Sequence, residues 1–255
     1  MLLFDAGNSR CKWAWIINGI WLRQGVLHNS DTAAWQVLKV SFSQFAAPQK
    51  ILASNVAGAE IAQYLRELCA VWSCPVEFIT AQAEQCGVRN RYEQPSQLGC
   101  DRWAALLAAW HRELQACLVV NCGTATTVDA LSASGEFLGG LILPGIELMQ
   151  RSLQINTSQL GDEFSRNNGK VTDFPSNTAD AIVSGAMRAC IGAIQQQYKL
   201  LAVNGARCIL SGGAAESILP YLGLPTELVD NLVLQGVQII GQNCSVITDK
   251  EMVSR

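Results

Sequence analysis

The sequence predicts an α/β protein made of two similar halves. Strand-like apolar segments alternate with helical patterns along the chain. One plan, an apolar strand running into a polar Gly turn and then a second strand, occurs twice. The composition adds a third indication: 49% of residues are hydrophobic and only 15% charged, below the roughly 25% usual for globular domains. Such a chain builds a large core and leaves surface that is uncharged or covered by another copy.

The first hairpin pairs Leu2-Leu3-Phe4 with Trp13 to Ile17 across Asp5-Ala6-Gly7-Asn8-Ser9. Strand-like Ile51 to Ser54, a helical pattern from Ala57 to Leu68 and strand-like Val76 to Thr80 follow, and Arg102 to Leu114 carries an apolar helical stripe. The second hairpin runs from Leu118-Val119-Val120 through Asn121-Cys122-Gly123-Thr124 to Val128-Asp129-Ala130-Leu131. After it come strand-like Phe137 to Leu143, a Pro144-Gly145 breaker, a helix through Leu153 and a polar stretch from Gly161 to Asp173 that reads as a flexible loop. A long helix from Ala179 to Leu200, a strand at Cys208 to Leu210 ending in Ser211-Gly212-Gly213, and an apolar run from Leu232 to Ile240 complete the chain. The repeat places a boundary near residue 113, with one domain at 1–113 and another at 114–255.

Composition also excludes. No apolar run approaches the roughly 18 residues of a membrane span, and the N-terminus, with Asp5 and no basic stretch, does not read as a secretory signal, so a cytosolic protein is expected. A net charge of −3 without a basic stripe argues against nucleic acid. The ten cysteines form no C-x-x-C pair and read as small buried hydrophobes. With only His28 and His111, histidine metal sites and Ser-His-Asp chemistry have little to work with.

Both hairpins suit an anion. In the first, Gly7 lets backbone N–H groups approach a phosphate, Asn8 and Ser9 add hydrogen bonds, Lys12 adds charge and Asp5 can hold Mg²⁺. The competing reading is a tight turn in which Asp5 and Asn8 satisfy local backbone groups. In the second, Gly123-Thr124-Ala125-Thr126-Thr127 presents three hydroxyls beside a Gly, although Thr is also a good strand residue. Neither is a Walker A loop. The Ser211-Gly212-Gly213 turn either admits a nucleobase and ribose or marks close helix–strand packing. Between the hairpins, Asn90 to Trp103 is chemically dense: Asp101 could take a proton from an alcohol and Arg102 could orient it, or Asp101 could cap the following helix. Thr178 either binds a carboxylate at a helix N-terminus or caps that helix.

Taken in order, the Asp5 hairpin, Ser54-Asn55-Val56, Tyr92 to Arg102, the GTATT at Gly123, the GGLILPG at Gly139, Asn177-Thr178, the SGG at Ser211 and Asn231 to Gly236 resemble the type III pantothenate kinases over nearly the whole chain. The resemblance implies the acetate and sugar kinase/Hsp70/actin fold: two ribonuclease H-like domains with the nucleotide between them. It implies ATP-dependent phosphorylation of pantothenate, the first step toward coenzyme A, by a homodimer. It implies that Asp5, Ala6, Gly7, Asn8, Ser9, Arg10, Cys11, Lys12 and Thr124 hold ATP. Tyr92, Gly99, Cys100, Asp101, Arg102 and Thr178 would bind pantothenate, with Asp101 as general base. Mg²⁺, near Asp5, and a monovalent cation, K⁺ or NH₄⁺, are the implied ions. Ser9 stands where the family usually has Thr and keeps the hydroxyl. Asn121 stands where many members have Asp, at a position linked to the monovalent cation, and supplies a carbonyl oxygen with one negative charge fewer. The alternative is a non-catalytic nucleotide-binding accessory or regulatory protein of the same fold, against which the intact Asp101 and Lys12 argue. Another small-molecule kinase of this fold is a further alternative.

Overall fold

The computed structural model describes residues 1–156 and 169–242. In chain order these form β1 (Leu2–Ala6), β2 (Arg10–Ile17), β3 (Ile20–His28), α1 (Thr32–Phe42), β4 (Ile51–Asn55), α2 (Ala59–Cys69), β5 (Val76–Phe78), β6 (Glu84–Gln85), β7 (Val88–Asn90) and α3 (Cys100–Glu113). Then come β8 (Cys117–Cys122), β9 (Ala125–Leu131), β10 (Glu136–Pro144), α4 (Ile146–Asn156), α5 (Thr178–Leu201), β11 (Arg207–Ser211), α6 (Ala215–Leu222), β12 (Thr226–Leu228) and α7 (Leu232–Gly241). Most of the expected flexible loop, and Cys244, lie outside the described residues. No described helix is long and apolar enough to cross a membrane.

The chain divides into two compact units. One comprises Met1–Leu114, Gly135–Phe137 and the chain from Asn231 on; the other comprises Gln115–Ser134 and Leu138–Asp230. The division after Leu114 lies beside the boundary expected from sequence, but the C-terminal helix does not stay with the second half. The reason is close packing inside the first unit: a Cβ on Gly236 of α7 would lie 1.9 Å from the backbone oxygen of Ala104 on α3. Only a glycine lets these two helices meet.

In the first unit the strands run in the order β3-β2-β1-β4-β5, with β1 antiparallel to β2 and parallel to β4. Side chains alternate across β1. Leu2, Phe4 and Ala6 enter a core with Trp35, Leu38 and Phe42 of α1 and with Ile61 and Leu65 of α2. Asp5, one residue out of phase, is on the opposite face, where α3 and α7 pack. The alternation alone thus directs one carboxylate of an otherwise apolar strand toward the helix that carries Asp101. The Leu38 and Phe42 stripe of α1, with Asp31 accepting from the Ala34 N–H at 2.9 Å as its N-cap, was legible in principle; together with β3 it is an addition to the elements read above.

In the second unit the order is β10-β9-β8-β11-β12, again an antiparallel meander joined to parallel strands. The repeat expected from the hairpins is therefore a repeat of sheet topology. One face is covered by α5 and α6, with Leu118, Val120, Met187, Cys190, Ile194, Leu210 and Ile218 in the core. The start of β10, Glu136 and Phe137, pairs with β7 and belongs to the first unit.

Candidate active site

The first hairpin sets its acid and its cation opposite one another. Asp5 and Lys12 are directly paired across β1 and β2, and Asp5 and Ser54 across β1 and β4, so all three share a face. The turn between the strands is closed by the Gly7 N–H donating to the Arg10 oxygen at 3.0 Å, leaving Asn8, Ser9 and Arg10 exposed and Cys11 buried. Behind it lies a residue that sequence reasoning did not identify: the Asn29 side-chain amide donates to the Gly7 oxygen at 2.8 Å and the Asn8 oxygen at 3.0 Å.

Burial pushes the Asp5 carboxyl up to about 7; Lys12 opposes the rise and the charge of Asp101 adds to it. A carboxyl whose folded-state value is raised loses a proton first in the unfolded chain, so the folded state becomes less stable as pH rises from about 4 to about 7. Asp5→Asn removes that loss. In metal-free buffer the melting temperature of the variant relative to wild type is expected to climb between pH 5 and pH 8; a difference that stays constant over that range would refute the assignment.

Around Asp101 the structure removes one of the two readings. The N-cap of α3 is Gly99, without a side-chain hydrogen bond, and Asp101 lies one residue inside the first turn. Asp101 is therefore not the cap. Its Oδ1 accepts from the Arg102 N–H at 2.8 Å, and a Cβ on Gly99 would approach that oxygen to 2.6 Å. Gly99 thus keeps clear the space the carboxylate occupies. Burial raises the Asp101 carboxyl above the usual range, opposed by the Arg102 backbone N–H and guanidinium. A raised carboxyl is a better proton acceptor than an exposed one.

The segment before α3 is braced from both sides. Asn90, buried, accepts from the Tyr92 N–H at 3.0 Å and donates to the Pro95 oxygen at 3.2 Å. Arg102, also buried, donates to the Tyr92 hydroxyl at 3.1 Å and lies 5.8 Å from the ring centroids of both Tyr92 and Phe137. The guanidinium lies over a pair of rings that contact one another, their centroids 5.2 Å apart, an arrangement Lys would not reproduce. Beneath α3, the Cys100 thiol contacts the Ser54 hydroxyl at 3.4 Å and the Asn55 oxygen at 3.5 Å. Asn55 builds the turn into α2 by accepting from the Ala57 N–H at 3.0 Å and donating to Gly58 at 2.9 Å, which delays the helix to Ala59. Burial raises the Cys100 thiol and pushes Cys122 up to about 12, so neither is an activated nucleophile.

In the second unit the GTATT hairpin exposes fewer hydroxyls than its sequence implies. Thr124 is exposed, but Thr126 and Thr127 are buried at 1% and 8% exposure, and the Thr126 hydroxyl contacts the Cys190 thiol at 3.7 Å. One hydroxyl of three is presented; strand alternation and core packing take the others. The hairpin is held by two glycines. Gly145 donates to the Thr124 oxygen at 2.9 Å, and a Cβ there would lie 2.3 Å from the Gly123 oxygen. Gly212, at a φ of +103°, lies against Cys122, where a Cβ would meet backbone at 2.5 Å. Gly212 is thus a close-packing residue, the second of the two readings of the SGG turn.

Asn121 pairs with Thr127 and Ser211 in the strand register. Thr178 is the first residue of α5, and the cap is Asn177, whose side chain accepts from the Asp180 N–H at 2.9 Å. Thr178 is thus not the cap. The structure brings Asp5, Lys12, Tyr92, Gly99, Cys100, Asp101 and Arg102 together in the first unit, while Thr124, Asn121 and Thr178 belong to the second. Among the described residues no group of three or more His, Cys, Asp or Glu could hold a metal ion.

A sequence model of the type III pantothenate kinases matches residues 1–200. The type III pantothenate kinase of Nitrosospira multiformis is 47% identical over 248 residues, covering 96% of this chain and 92% of that protein. That of Aromatoleum aromaticum is 48% identical over 244 residues, covering 95% and 98%. Among solved structures, the activator of the 2-hydroxyisocaproyl-CoA dehydratase from Clostridium difficile, with bound ADPNP, superposes with a TM-score of 0.52 at 13% identity, covering 95% of this chain and 92% of that one. At that identity the likeness shows the fold, the α/β fold shared by sugar kinases, actin and Hsp70. The braced Asp101–Arg102 turn, the paired Asp5 and Lys12 and the near full-length match lead to one conclusion: this chain belongs to the type III pantothenate kinase family.

Proposed function

We propose that this chain transfers the γ-phosphoryl group of ATP to the primary hydroxyl of pantothenate, giving 4′-phosphopantothenate, the first step toward coenzyme A. The observation that carries the reading is Asp101, a carboxyl raised by burial beside a fixed Arg102, in a chain of this family. The hydroxyl oxygen forms a bond to the γ-phosphorus, the bond to the bridging oxygen of ADP breaks, and Asp101 accepts the hydroxyl proton. Arg102 and Tyr92 orient the acceptor, with Gly99 and Cys100 beside them, and Thr178 is assigned to acceptor binding as well. The backbone of residues 5–12, with the side chains of Asn8, Ser9, Arg10 and Lys12, holds the nucleotide, and Thr124 is assigned to it as well; the Ala6 and Cys11 side chains are buried in the core, so those two residues contribute backbone only.

Asp5 suits a hydrated Mg²⁺, because a buried carboxyl raised to about 7 with only Lys12 opposing it gains from a nearby cation. Bound there, the metal offsets the charge that develops on the phosphate oxygens. A monovalent cation would draw on the amide oxygen of Asn121, with no negative charge from that position. A homodimer fits the apolar side chains left exposed on β10 and α4, notably Leu138, Ile142, Leu148 and Ile155, and on Phe174, at 94% exposure. The same reading implies a cytoplasmic enzyme, since its nucleotide co-substrate is supplied there.

The test is ADP release by purified protein with Mg·ATP, with and without pantothenate, in sodium and in potassium buffers. Pantothenate-dependent release is expected. Bound ATP without pantothenate-dependent release in either buffer would replace this reading with that of an accessory protein.

A further inference from the structure

We propose that Asn29 is the positioning residue of the phosphate-binding hairpin, which it aims by holding two successive carbonyl groups of the turn. The inference rests on the proposed function, in which residues 5–12 hold the triphosphate. The geometry itself is independent of that reading. Asn29 lies just past the end of β3, far in sequence from the turn, and touches it three times: its backbone N–H donates to the Ser9 oxygen at 3.0 Å, and its side-chain nitrogen donates to the Gly7 and Asn8 oxygens at 2.8 and 3.0 Å.

The effect on the turn follows from the planarity of the peptide group. In a trans peptide the N–H points away from the C=O. The carbonyls of Gly7 and Asn8 belong to the peptide groups whose N–H groups are those of Asn8 and Ser9. An amide that gathers both carbonyls on one side therefore turns both N–H groups to the other, which makes the paired backbone donors of an anion nest. Only a donor is stable between two carbonyl oxygens, so the amide orientation is determined. The price is visible in the structure: the Asn29 Oδ1 is enclosed and has no partner among the described residues.

The test compares Asn29→Ala and Asn29→Thr with wild type in the pantothenate-dependent assay, measuring KM for ATP, KM for pantothenate and melting temperature. Loss of both side-chain bonds in Asn29→Ala is expected to raise KM for ATP about 10-fold. Asn29→Thr, whose hydroxyl reaches only one carbonyl, should fall between Ala and wild type. KM for pantothenate is expected to stay within about twofold, and melting temperature within about 3 °C. A change in KM for ATP below about twofold in Asn29→Ala, or a parallel rise in both KM values, would overturn the assignment. If Asn29→Ala does not fold, Asn29→Thr alone decides, by whether its rise is confined to ATP. A wild-type protein that consumes no ATP with pantothenate would instead overturn the proposed function, and that outcome is read before any variant is compared.

Discussion

Replacing Asp101 by Asn is expected to lower kcat for pantothenate-dependent ADP release by about 10²- to 10⁴-fold, with the melting temperature unchanged or slightly raised. Asn keeps an oxygen that accepts from the Arg102 N–H, so the first turn of α3 retains its bond. It lacks a basic site for the hydroxyl proton. Helix capping is not at stake, because the cap position is Gly99. Stability moves, if at all, upward: burial raises the Asp101 carboxyl, so ionisation above that raised value costs the folded state, and the amide removes the cost. A variant that keeps more than a tenth of wild-type kcat would remove Asp101 from the role of base. One that loses turnover in step with a falling melting temperature would mark it as structural.

The second large effect is on stability. Gly236→Ala is expected to destabilise the fold by about 3 kcal/mol or more, because the new Cβ, 1.9 Å from the Ala104 oxygen, meets backbone that no rotamer change can relieve. Either α7 shifts from α3 or the unit opens. For a chain of this size the melting temperature should fall by roughly 10 °C. Since α3 also carries Asp101 and Arg102, surviving protein should show reduced kcat at temperatures well below the transition. A melting temperature within about 2 °C of wild type would show that the helices are not in the contact described here. The two experiments separate chemistry from scaffold on the same helix.

How far the sequence reached differs from residue to residue. Both hairpins were legible because a strand that buries both faces reads as an apolar run and a Gly turn interrupts it. The long helix at Thr178–Leu201 and the buried helix at Cys100–Glu113 were legible from length and composition. The reading of three hydroxyls at Thr124, Thr126 and Thr127 was too generous, because local sequence does not say which side of a strand meets a core. Asp101 and Thr178 each stood near a helix start, but a shift of one or two residues separates a cap from a first-turn position, and only backbone angles settle it. Asn29 left no local signal at all, whereas Asn90 stood at the start of the dense segment and its turn partners, Tyr92 and Pro95, are close in sequence. The partners of Asn29 are carbonyl groups of a turn some twenty residues away, and backbone groups carry no sequence.

What the sequence determined by itself was the class of fold, the order of its principal elements apart from β3 and α1, the pair of hairpins and the family, since these depend on apolar periodicity, turn residues and motif order, all local properties of the chain. What only the tertiary structure decided was which groups meet: Asp5 with Lys12, Arg102 against the Tyr92 and Phe137 rings, Asn29 under the turn, and α7 with the first unit rather than the second. Those contacts depend on strand register, on the face each residue presents and on glycines that let backbones touch. These are long-range consequences of packing, and they exist only once the chain is folded.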